Sequence, residues 1–437
     1  MNFLQEYLDY TKDTESPTVF HRWSAITGIG ALLRKNVWVQ HGAGEIFPNL
    51  YTMLVGDPGS RKSSAIKGMK KLMIAGGYTT IAADKTTKEK FLIDLEEQQN
   101  PGAKDKDGKP IPTDEAELVH WLDAELGSKG HEDGAAALQP ACLLVAADEF
   151  NDFTGNGNIE FYSTLGVLWD YSGTYTSRVK HGSSVSVTEP CISILAGNTT
   201  TNISLAFPQE ALGQGFLSRL LFVYGETNGR RITWPTIPPA DVTASILKQI
   251  KEIQNLAGCI SFTPEAIEAT DLLYQRWTDL PDARFRGYST RRLTQFFKVA
   301  TILCASRGSR TIGIQEVVEA NTFLSAIELR MPQALGEYGK SKHSDVAQKI
   351  VKILTDSKIP MTARQLWKEV HNDLERIRDL AELLQNLKDA DRVQQTELGF
   401  LPKIAPVIDS VGAKNHMALV DWKLLTTEER EFYGIYL

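Results

Sequence analysis

The chain has little cysteine, no long apolar run and no strong excess of one charge, and each shortage removes a class of function. Among 437 residues there are four cysteines, Cys142, Cys191, Cys259 and Cys304, widely spaced and each set in an apolar run. No C-x-x-C pairing is present, so neither a disulfide framework nor a zinc cluster has a basis, and the four read as small buried hydrophobes in a reducing compartment. No stretch approaches the ~20 apolar residues of a membrane span, and the start Met1-Asn-Phe-Leu-Gln-Glu lacks a signal-peptide pattern. A soluble cytoplasmic protein with no membrane partner is expected. The net charge of −7 argues against a broadly basic surface but leaves room for nucleic-acid binding through one local basic element. Low-complexity tails and internal repeats are absent as well. Hydrophobic content of 42% and charged content of 23% are ordinary for globular domains, and the length calls for more than one.

What is present begins with Leu54-Val-Gly-Asp-Pro-Gly-Ser-Arg-Lys-Ser-Ser64. The apolar run Leu50–Val55 predicts a buried parallel strand, and Ser63–Met73 predicts a helix. Between them Gly56, Asp57, Pro58, Gly59, Ser60 and Arg61 form a loop that turns backbone N–H groups inward, above a helix N-terminus with its positive dipole end. That arrangement cradles a nucleotide triphosphate. Lys62 would reach the β- and γ-phosphates, with Ser63 completing a Mg²⁺ shell and Ser64 closing the cradle. The loop departs from G-x-x-x-x-G-K-[ST] at one place, where Arg61 stands in for the second glycine. Arg61 either tolerates an unusual dihedral or adds a charge near the phosphates.

A phosphate loop needs an acidic strand tip, and Ala141–Ala147 supplies a buried strand that runs into Asp148 and Glu149. Asp148 would hold Mg²⁺ and Glu149 would polarise the attacking water. The next apolar strand, Cys191–Gly197, ends at Asn198, placed to sense the γ-phosphate or simply to form a turn. Between these strands, Tyr175–Val187 alternates around Lys180-His181-Gly182 and predicts a hairpin with a basic tip.

Along the chain, residues 1–48 look helical, and 49–232 alternate strands with helices as a parallel sheet requires. The charged stretch 100–140 reads as a surface insertion within that core. A Pro-rich connector follows, then a helical segment, 241–338. The last part, 341–437, has three helices and an alternating hairpin over Arg392–Leu401, the order of a winged helix. Its third helix is acidic, with Asp373, Glu375, Asp379, Glu382, Asp389 and Asp391 in or beside it, which weakens a major-groove reading.

The order phosphate loop, acidic strand, Asn-tipped strand is that of AAA+ ATPases. The Lys180-His181 hairpin resembles the one that superfamily 3 and minichromosome-maintenance helicases project into a ring channel to contact DNA. Gly213–Val223 is similar to the Leu-Ser-Arg-Phe segment of the latter group, so Arg219 would reach into a neighbouring subunit's nucleotide site. Ser289–Ala300 resembles a lid helix with a second sensor arginine, for which Arg291 matches best and Arg292 is the fallback. Over residues 15–335 the chain most resembles helicase-like P-loop proteins of phages and prophages, whose loops also tend to carry Arg-Lys-Ser.

That resemblance implies an α/β fold: an AAA+-like P-loop core, a helical lid and a C-terminal winged-helix-like domain. It implies ATP and Mg²⁺ as cofactors, and a homo-oligomeric ring, expected as a hexamer, acting on single-stranded DNA or a duplex fork in replication. The setting would be a bacterial or phage-infected cytoplasm, and any primase or initiator activity would come from a separate protein. An ATP-dependent assembly switch (an initiator, a loader or a defence ATPase) uses the same motifs without unwinding and stays open as the alternative.

Overall fold

The computed structural model describes residues 2–99, 139–178, 184–208, 215–336 and 419–436, and, with short gaps, 346–402. Residues 100–138 of the expected insertion 100–140, and the hairpin tip Lys180-His181, lie outside the described residues. The chain divides into two compact units, one of Met1–Asp271, Asp279–Ala334 and Leu419–Leu437, the other of Leu272–Thr278 and Leu335–Ala418. Most of the segment expected as a lid therefore belongs to the same unit as the sheet.

The larger unit opens with helices α1 (Phe3–Thr11) and α2 (Thr18–Leu33). Fifteen residues of α2, Val19 through Leu33, are buried, because its sequence is mostly apolar or small on every face and its one charged residue, Arg22, is paired with Glu429. The hairpin β1 (Val37–His41) and β2 (Gly44–Ile46) follows, in a region whose sequence reads as helical throughout. Next come β3 (Tyr51–Val55), then α3 (Lys62–Ala75) and α4 (Lys88–Gln99), β4 (Cys142–Ala147), the antiparallel pair β5 (Thr174–Ser177) and β6 (Val185–Thr188), β7 (Cys191–Asn198) and β8 (Leu220–Tyr224).

Four of these strands form an all-parallel sheet in the order β4-β7-β3-β8. Every residue of β3, β4 and β7 is buried, as near-continuous apolar strands covered by helices should be. Ile81 adds a single parallel bridge to Leu144 on the outer side of β4. The chain leaves β3 for β4 on one side and returns through β7 to reach β8 on the other. The ends of β3 and β7 thus flank a topological switch point, where open α/β sheets form their binding crevice. The register aligns Val55 with both Asn198 and Tyr224, so three strands end level.

The smaller unit has its own buried cluster, including Ile350, Leu366, Val370, Leu380, Leu384 and Val393. The helix Ala363–Val370 starts from a reciprocal cap between Thr362 and Gln365. The helix Ile377–Asp389 leads to the antiparallel strands Val393–Thr396 and Gly399–Pro402. Gly399, at φ +136°, lies where a Cβ would meet the Met361 carbonyl oxygen at 2.5 Å, so the hairpin closes on backbone that only glycine accommodates. Of the acidic positions, Asp373 and Glu382 are exposed and Asp379 is half-buried.

Candidate nucleotide site

The loop Gly56–Arg61 leaves the buried end of β3 and enters α3 at Lys62. Gly56 is required by contact: a Cβ there would stand 2.3 Å from the Gly225 carbonyl oxygen and 2.8 Å from Ser60 Oγ. Its N–H donates to the Asn198 carbonyl (3.4 Å), and the Gly225 N–H donates to the Val55 carbonyl (2.9 Å). The ends of β3, β7 and β8 are thereby tied together directly beneath the loop. Gly59 has φ +86°.

Arg61 answers the choice left by its sequence position on the side of the unusual dihedral. Its backbone is left-handed, φ +62° and ψ +25°, the conformation a glycine would take without strain. Its guanidinium turns outward to Glu15, Nη2 to Oε2 2.5 Å. Glu15 also accepts the Ile232 N–H at 2.9 Å, and that bond together with Arg61 holds its carboxyl below the usual range.

Lys62 is 8% exposed, and its Nζ donates to the Gly56 carbonyl (2.8 Å), the Asp57 carbonyl (3.1 Å) and Ser60 Oγ (3.1 Å). The ammonium is folded onto the oxygens of its own loop, in a position from which phosphate oxygens can replace them. Burial lowers its pKa, opposed by the nearby carboxylates of Glu149 and Asp57. Of the remaining loop residues, Asp57, Pro58 and Ser64 are exposed and Ser63 is half-buried.

Asp148 and Glu149 follow β4 at the same end of the sheet, both half-buried. Gly197 makes this junction tight, since a Cβ there would sit 2.4 Å from the Asp148 carbonyl oxygen. The Asp148 carboxylate is paired with Lys67 of α3, so a cation already stands beside it. Among the described residues no group of three metal-ligating side chains occurs. The Ser63 hydroxyl and Asp148 carboxylate fit a different donor set, that of a Mg²⁺ ion which keeps several waters and shares phosphate oxygens.

Asn198 is fully buried. Its Oδ1 accepts the Thr199 N–H (2.9 Å) and its Nδ2 donates to Asn151 Oδ1 (3.1 Å). Asn151 lies two residues past Glu149 on the short helix Phe150–Thr154. Two residues on from Asn198, Thr200 Oγ1 donates to Asp57 Oδ1 at 3.4 Å. The polar strand end thus touches both the acidic tip and the phosphate loop. Sequence reading missed Asn151, Thr200, Lys67 and Glu15; only Asn151, two positions beyond a motif acid, carried a local signal.

Arg219 lies elsewhere. It ends a 3₁₀ turn, Leu217–Arg219, just before β8, and Leu220 is level with Tyr51 at the start of β3. Five strand residues separate it from the loop end of the sheet, roughly 16 Å at about 3.3 Å each. Its Nη1 donates to the Gly215 carbonyl (2.6 Å), and its guanidinium lies 5.6 Å from the Trp169 ring centre. Gln295 holds its carbonyl (2.9 Å). Burial, then the charge of Arg291, lowers its pKa. Arg291 donates to Ser218 Oγ at 2.9 Å and so belongs to the same end. Arg292, the fallback for the second sensor, is 3% exposed and bonded to Glu328, Asn321 and Ser325. It is a core ion-pair residue, committed to holding two helices together.

No family model and no curated protein matches the chain. Among the described residues no helix is long and apolar enough to cross a membrane.

Proposed function

We propose that the protein is a ring-forming ATPase of the AAA+ type that translocates on or unwinds DNA, with single-stranded DNA as its track. The observation that carries this reading is the split between the two ends of one parallel sheet. Lys62, Ser63, Asp148, Glu149 and Asn198 gather at the carboxyl ends of the strands, whereas Arg219 and Arg291 share the amino ends. A phosphate site and a pair of guanidiniums on opposite ends of one chain suit head-to-tail assembly, in which each subunit completes its neighbour's site.

In that arrangement Lys62 and the loop N–H groups bind and orient the triphosphate. Glu149 takes a proton from the attacking water, Asn198 fixes the water's position, and the next subunit's arginine stabilises charge on the transferred phosphoryl group. Ser63 and Asp148 would hold a Mg²⁺ ion, which would supply Lewis-acid charge stabilisation. Movement along DNA is assigned to the β5–β6 hairpin, whose basic tip gives sequence-independent, salt-sensitive contacts. The C-terminal unit, read as a winged helix, serves packing or a partner protein, in keeping with its exposed acids.

The test is ATP hydrolysis with and without long single-stranded DNA, in wild type and Lys180→Ala. Stimulation by DNA that disappears in the variant is expected. Appreciable hydrolysis that ignores DNA in both proteins would sink the motor reading and leave an ATP-dependent assembly switch.

A further inference from the structure

A cavity of about 310 Å³ lies against the phosphate loop, walled by residues 17–19, 225–228 and the helix Thr427–Tyr433. That volume falls within the range of small-molecule pockets. Gly225 joins the cavity to the loop, since it lines the cavity and its carbonyl faces Gly56. One strand spacing, about 4.8 Å, therefore separates the start of the phosphate cradle from the cavity.

The third wall is unexpected, because it comes from the far end of the sequence. After the smaller unit the chain returns to the larger one and anchors there. Glu429 is 2% exposed and pairs bidentately with Arg22, also buried, at 2.7 and 2.6 Å. Glu428 accepts from Thr18. Phe432 is fixed between the Tyr224 ring (centroids 6.3 Å apart) and the Arg330 guanidinium (4.3 Å). Charge decides what the cavity accepts: Glu226, Glu428, Glu429 and Glu431 all line it, and with Glu226 paired to Arg330 and Glu429 to Arg22, Glu428 and Glu431 leave the lining acidic. An acidic lining repels phosphate and favours a neutral group rich in N–H and O–H donors, such as a sugar and an exocyclic amine.

We propose that this cavity takes the nucleoside end of the bound nucleotide, and that nucleotide occupancy thereby clamps the C-terminal return segment onto the ATPase unit. The inference rests on the phosphate-loop reading. The loop holds the charged end of the ligand and the acidic cavity its uncharged end, so the helix Thr427–Tyr433 closes over a nucleoside but is untouched by phosphates alone. Because the smaller unit is inserted just ahead of this helix, its downstream tether is firm when nucleotide is bound and looser when it is not.

The experiment compares ATP with inorganic tripolyphosphate, both with Mg²⁺, by calorimetry and by amide exchange over residues 427–435. Thr227 is exposed on the cavity rim, so Thr227→Trp fills the space without disturbing the core. In Thr227→Trp, ATP affinity is expected to fall at least tenfold with tripolyphosphate affinity unchanged, and Phe432→Ala should behave alike. In wild type, ATP but not tripolyphosphate should slow exchange in the helix. Equal loss of both ligands in Thr227→Trp, no loss of either, or equal protection by both would overturn the proposal. Failure of wild type to bind either ligand would instead overturn the phosphate-loop reading, and the cavity assignment with it.

Discussion

At Arg61 two opposing effects meet in one residue. The left-handed backbone costs a non-glycine residue about 1–2 kcal/mol, whereas an ion pair as exposed as Arg61–Glu15 is screened by solvent and returns less. Removing the side chain without relieving the backbone should therefore be worse than relieving it. Arg61→Gly is expected to be about 1 kcal/mol more stable than Arg61→Ala in denaturant unfolding; an Ala variant as stable as the Gly variant would show the φ value to be unstrained.

His21 offers a second test at this scale. It is buried beside Tyr7 with Nε2 on Thr14 Oγ1 at 2.8 Å, and burial lowers its pKa to about 4. The unfolded chain takes up this proton near pH 6.5, while the folded chain resists until about pH 4. Stability is thus full above pH 6.5 and falls as pH drops towards 4, by about 3 kcal/mol from this group. Melting temperatures between pH 7.5 and 4.5 should fall less steeply in His21→Gln than in wild type.

Among the elements, the sheet brings the site together by placing the Asn198 strand between the loop strand and the acidic strand. Gly197 is what lets the acidic tip lie so close. Gly197→Ala sets a Cβ against backbone that cannot swing away, and should cost about 1–3 kcal/mol. Hydrolysis should suffer more than ATP binding, since the displaced groups are Asp148 and Glu149; unchanged turnover would argue that the tip has no part in the chemistry.

The central strands were legible because a buried parallel strand is mostly apolar, and Leu50–Val55, Ala141–Ala147 and Cys191–Gly197 carry only Thr52 and Ser193 as polar residues among them. The turn Gly56–Arg61 between β3 and α3 was legible because its glycine spacing breaks the strand and lets the chain enter a helix. The hairpin β1–β2 was not: Val37–His41 is only partly buried and follows a helical stretch with no strong break but Arg34, a left-handed residue. Nor was the pairing of Asn198 with Asn151, which depends on two strand ends meeting in space. Arg292 shows the opposite failure, in which an arginine at a motif position is absorbed into the core by partners 29–36 residues away.

At the scale of the whole molecule, the ends of the larger unit meet through Arg22 and Glu429. Both are almost fully buried, so removing one partner strands an uncompensated charge. Glu429→Ala is expected to lose about 3–5 kcal/mol, and the double replacement Arg22→Met/Glu429→Leu to recover most of it. Melting curves of the two variants would settle the matter, a double variant as unstable as the single one counting against the account.

The sequence returns to the larger unit at Leu419, whose carbonyl accepts from Asn321 Nδ2 at 3.1 Å. It left from Ala334, thirteen residues further along the same helix, about 20 Å at 1.5 Å per residue. Both seams of the smaller unit therefore open within one helix length of each other, as chain termini of an inserted domain commonly do. A spacer of some ten flexible residues spans that gap. Residues 335–418, which are all of the smaller unit but Leu272–Thr278, can thus give way to such a spacer, or to a foreign domain, without lengthening the path of the larger unit's chain.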